Sequence, residues 1–64
     1  MDMLRSEDEG ITLSLTKEEF YTLANCVNET LEAVQDWEFS TRVGVDRSFA
    51  VELRSALGTI ARSL

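Results

Sequence analysis

Gly44 stands between two stretches of helical character, and that spacing constrains the fold more than any other feature of the chain. Before it, residues 36–43 carry Trp37, Phe39, Thr41 and Val43. After it, Asp46 opens a run in which Phe49, Ala50, Leu53, Leu57, Ile60 and Leu64 recur at helical intervals. Glycine suits the left-handed residue that ends a helix, and aspartate is a favoured N-cap. Residues 38–53 therefore predict a short helix, a glycine turn and a second helix, with Asp36 capping the first. Gly58 falls inside the last helix, where it costs about 1 kcal/mol relative to alanine. A close helix–helix approach would be one reason to keep it.

Upstream, Thr16-Lys17-Glu18-Glu19 has the form of a capping box, with Leu15 and Phe20 placed for a hydrophobic staple. Phe20, Leu23, Ala24, Val27, Leu31 and Val34 follow at helical spacing, so one amphipathic helix is predicted from Lys17 to about Gln35. Ile11-Thr12-Leu13-Ser14-Leu15 alternates apolar and polar, as a half-buried strand does. Ile11, Leu13 and Leu15 are expected to face the core. A lone strand needs hydrogen-bond partners. They could come from the same strand of a second copy or from a partner protein; otherwise the segment lies extended on the helices. Residues 1–9 are polar and acidic and read as a disordered tail. The expected architecture is mainly α: one short N-terminal strand followed by three helices (long, short, long) in a single small domain over 10–64. Dimerisation through the strand is left open.

Sixty-four residues are near the lower limit for a self-sufficient core. Cys26 is the only cysteine and there is no histidine, so neither an internal disulfide nor a usual zinc site is expected. A lone thiol suits a reducing, cytoplasmic setting. Without imidazole to activate it, Cys26 reads as an inert, partly buried thiol. No catalytic group, cofactor or metal is expected. Neither a charged leader nor a long apolar run is visible, which argues against export and against membrane insertion.

The chain carries a net charge of −6, all of it in residues 1–35; residues 36–64 balance four acids with four arginines. Such a field favours basic partners and disfavours polyanions. Glu29, Glu32 and Asp36 form a stripe that could hold a hard cation, although such stripes are far more often solvated faces. Read as a helix-turn-helix, the second helix would present Arg47, Ser48 and Arg54 to DNA, with Arg47 on a guanine edge or a phosphate. Asp46 and Glu52 would oppose the phosphates, and few cations are present to neutralise them. A plain helical corner uses the same turn.

Two family resemblances bear on this choice. The strand followed by helices, with Gly44-Val45-Asp46-Arg47-Ser48 opening the last, resembles ribbon-helix-helix regulators, in which strands from two subunits enter the major groove. Here Asp46 replaces the usual hydroxyl, the Leu15–Gly44 gap is too long by a short helix, and Thr12 and Ser14 carry no charge to hold phosphate. Ala24-Asn25-Cys26-Val27-Asn28-Glu29 and Glu38-Phe39-Ser40-Thr41-Arg42-Val43-Gly44-Val45 resemble small bacterial proteins of uncertain role, some of which look like toxin-immunity proteins. That resemblance implies a class and carries no catalytic residue. Within it, Asn28 or Glu29 is expected to bond Arg42 or the turn near Gly44.

The favoured expectation is a non-enzymatic, acidic interaction module that binds a basic protein partner, for example by neutralising a toxin. Its contacts would be Glu18, Tyr21, Glu29, Glu32, Asp36 and Trp37, and the chain is expected to be a homodimer. The alternative is a small dimeric DNA-binding regulator using Arg47, Ser48 and Arg54.

Overall fold

All 64 residues are described by the computed structural model. In chain order they form strands β1 (Asp2–Glu7) and β2 (Gly10–Ser14), helix α1 (Lys17–Ala33), a 3-10 turn (Asp36–Glu38), helix α2 (Phe39–Val43) and helix α3 (Arg47–Ala61). The architecture is thus mainly α with a small β element at the N-terminus.

That β element corrects two expectations. The first nine residues are not a loose tail: β1 pairs antiparallel with β2. The partner of the predicted strand therefore lies in the same chain, and no second copy is needed to supply it. Met3 opposes Leu13 and Ser6 opposes Ile11, while Asp2 opposes Ser14 and Arg5 opposes Thr12. Directly opposed residues share a face of the ribbon, so one face carries Met3, Ile11 and Leu13 and the other is polar. An irregularity between Met3 and Arg5 leaves Leu4 as an extra residue. Every residue of both strands is exposed. Ile11, expected in the core, is 62% exposed.

Thr16 begins α1 as predicted. Its hydroxyl accepts from the Glu19 N–H, and the Glu19 carboxylate accepts from the Thr16 N–H, at 3.1 and 2.9 Å. Leu15 and Phe20 line one cleft with Leu13, Ile60 and Leu64, which ties the root of the hairpin to both long helices. Glu19 also accepts from the Met1 ammonium at 2.7 Å. That ammonium, and then the Thr16 N–H, hold its carboxyl below the ordinary value.

At the other end of α1 the chain turns through Asp36–Glu38 into α2, which ends at Gly44 in the left-handed conformation (φ 93°). The Gly44 N–H donates to the Ser40 carbonyl at 2.9 Å. Nothing lies within 4 Å of where a Cβ would sit, so the need for glycine is purely conformational. Gly44→Ala should cost about 1–2 kcal/mol, seen as a lower urea midpoint. Gly44→Asn should recover most of it, since asparagine tolerates this conformation. Asp46 occupies the N-cap of α3 as predicted, but its side chain makes no capping hydrogen bond. Around Gly58 the expected close helix approach is missing: the nearest atom to a built Cβ is Arg62 Nη1, 3.9 Å away on the same helix.

Leu31, Phe39 and Ala50 form the core, with Val27 and Val34 packed against them. Phe39 is its centre, 1% exposed, and Phe20 is buried nearer the hairpin. Only four residues are buried in all, too few to cover the apolar stripes of α1 and α3. Leu23, Phe49, Leu53, Ile60 and Leu64, all expected inside, remain exposed.

Candidate functional site

Arg47 explains how the helices are joined. A helix leaves its last carbonyls without partners, and α1 has no basic residue in its last turn to meet them. Arg47, the first residue of α3, reaches back to supply that cation. Its Nη1 donates to the Leu31 carbonyl at 2.7 Å and its Nη2 to the Val34 carbonyl. The guanidinium also lies over the Phe39 ring, 4.7 Å from the centroid, a favourable cation–π arrangement. Asp36 approaches Nε as an ion pair, but not along the N–H direction, so Nε has no hydrogen-bond partner. One side chain thus links the end of α1, the 3-10 turn and the start of α3.

This arrangement moves two candidate residues out of their sequence-based settings. Arg47, the principal candidate for DNA contact, is turned into the protein's own fold. Asp36, a candidate partner carboxylate, faces Arg47 while remaining open to solvent. Ser48 and Arg54, the other nucleic-acid candidates, are exposed on α3. Arg42 pairs with Glu38 at 3.2 Å, one helical turn away. It does not meet Asn28 or Glu29 as expected: its guanidinium is taken up by Glu38. The Gly44 turn is closed by main-chain hydrogen bonding and not by a side chain of α1.

Of the remaining partner candidates, those on α1 share one face of the helix. Glu18, Glu29 and Glu32 are exposed and lie within about 60° of one another around the axis of α1. Tyr21 precedes Glu32 by about three turns on the same stripe. It is partly exposed and meets Phe20 edge to face, with ring centroids 5.5 Å apart. The stripe runs toward the 3-10 turn, where Trp37 is 82% exposed. Phe39, two residues on, takes the core place instead. No three His, Cys, Asp or Glu side chains converge in a way that could hold a metal ion; Glu29, Glu32 and Asp36 are each exposed.

Sequence reading missed a second surface on the opposite flank of α1. Leu23, Cys26, Val27, Val43, Leu53 and Leu57 line an open groove between α1 and α3, about 400 Å³ in volume, together with Thr30, Val45 and Ala50. No charged residue lines it. Cys26, expected to be partly buried, is exposed here. The available signal was the width of the apolar stripes: α1 and α3 carry more large apolar side chains than two helices and one short third helix can cover.

The chain matches no protein-family model, no curated protein and no solved structure. No helix is long and apolar enough to cross a membrane.

Proposed function

We propose that this chain is a non-enzymatic interaction module that binds a basic protein partner through the solvent face of α1 and the adjoining 3-10 turn. The observation that carries this reading is Trp37, the chain's one tryptophan, standing 82% exposed in the 3-10 turn that follows α1. Exposed tryptophan is costly to hydrate and is enriched among the residues that dominate binding energy. Glu18, Glu29 and Glu32 would steer a basic partner to it. Toxin neutralisation in the cytoplasm is one concrete form, in keeping with the immunity-like pattern at residues 24–29 and 38–45. Nucleic-acid reading is the weaker proposal, since Arg47 is engaged internally and the hairpin offers only Arg5 against Asp2, Glu7, Asp8 and Glu9.

Trp37 is its own reporter. Titration with an arginine- and lysine-rich peptide at low salt should shift its emission to the blue, with an affinity that weakens as salt rises. Lysine at positions 18, 29 and 32 together should abolish that response while leaving helicity intact. Trp37→Ala, which lacks the fluorophore and is read instead by the anisotropy of a labelled peptide, should weaken binding by about 30-fold or more, as for a dominant interface residue. Asp36 is left out of this test because its reversal would disturb Arg47. Emission that stays constant at low salt would remove the proposal.

A further inference from the structure

The surface of this chain is too large for a finished monomer. A folded protein of 7.2 kDa exposes about 4,100 Å², whereas this one exposes 5234 Å². Its radius of gyration is 13.1 Å, against about 11 Å for a compact domain of the same length. The surplus of about 1,100 Å² exceeds the roughly 800 Å² that each member of a stable pair buries.

Two uncovered surfaces account for it in kind. One is convex: beyond the root, where Leu13 lines the cleft to α1 and α3, the apolar face of the hairpin is bare, Met3 at 63% and Ile11 at 62% exposure. A two-stranded ribbon is marginal in water without something packed on such a face. The other is concave: the groove between α1 and α3, apolar along its length. Charge restricts where two copies can touch. Two copies of net charge −6, all of it in residues 1–35, repel one another where their acidic surfaces face, so contact between them is favoured at uncharged surfaces. The apolar face of the ribbon and the groove are both such places.

We propose that two copies of this chain form a two-fold dimer in which the apolar face of each hairpin lies in the other copy's α1–α3 groove. About the two-fold axis both hairpins seat at once, each in the other copy's groove, and that reciprocity makes the contact isologous and closed rather than an open head-to-tail chain. It leaves the acidic stripe and Trp37 free, and it stands or falls independently of what those residues bind.

Sedimentation equilibrium of the intact chain, from low micromolar to near-millimolar concentration, tests the dimer. The expected mass is twice 7.2 kDa, with association tightening as salt screens the like charges. Binding to a basic partner would show the opposite salt dependence. Leu53→Asp and Ile11→Glu should each weaken association by about a hundredfold or more, since each places a carboxylate in an apolar seat. Both positions are already solvent-exposed within one copy, so circular dichroism should show the helices retained. A third variant needs no added charge: Ile11→Cys treated with a short bismaleimide should give a covalent dimer joined from position 11 of one copy to Cys26 of the other. A chain that stays monomeric throughout overturns the proposal. So does a dimer indifferent to both acidic substitutions, or one cross-linked only from Cys26 to Cys26.

Discussion

Phe39→Ala should unfold the helical body at room temperature. The ring is 1% exposed and joins Leu31, from α1, to Ala50, from α3. Truncating a buried phenylalanine costs about 3–5 kcal/mol in transfer and cavity terms. A domain of this length has only about 3–10 kcal/mol of stability in total, so the variant should show most of its helical signal lost without denaturant. Phe39→Leu keeps an apolar side chain at the same place and should lose only about 1–1.5 kcal/mol. Urea titration followed by far-ultraviolet circular dichroism separates the two. A Phe39→Ala protein with a midpoint near that of the parent would mean that the core lies elsewhere.

Arg47→Ala should be nearly as damaging, for a different reason. It removes the donors to two carbonyls of α1, uncovers one side of Phe39, and frees Asp36. Hydrogen bonds from a charged donor are worth about 1.5–3 kcal/mol where water is excluded; with a third of the side chain exposed, about 2–4 kcal/mol is expected for the whole arrangement. Arg47→Lys keeps the charge but cannot place two donors in a fixed fork, so it should recover less than half of the loss. Equal stability of the lysine variant and the parent would show that charge alone suffices. There is a consequence for testing nucleic-acid binding: a loss of DNA affinity in Arg47→Ala would report unfolding. Arg54, exposed on α3, is the residue to remove for that purpose.

Much of the helical frame could be read from local chemistry. Thr16 and Glu19 announce the start of α1, and Gly44 and Asp46 mark the turn into α3, because caps and left-handed residues depend on their immediate neighbours. β1 was illegible for equally local reasons. The extra residue Leu4 breaks the two-residue alternation, and the turn centres on Asp8-Glu9, without the Asn-Gly type of signal and without any left-handed residue. The candidate site divides in the same way. That Glu18, Glu29 and Glu32 share a stripe follows from helical periodicity. Whether Trp37 or Phe39 takes the core, and whether Arg47 points outward or back to α1, depends on how the 3-10 turn places them against elements distant in sequence. Periodicity cannot resolve that, and the groove between α1 and α3 is invisible until the two helices are set side by side.

The reach of Arg47 also bears on the order in which the chain assembles. Its bond to Leu31 spans sixteen residues, and the central core cluster with its packed neighbours lies between Val27 and Ala50. Such short loops cost little entropy to close, and folds dominated by near contacts form quickly. The helical body can therefore take shape without waiting for the hairpin, which is joined to it chiefly at its root and through Met1. A ribbon that arrives last and is loosely held is the element most readily exchanged between chains during folding.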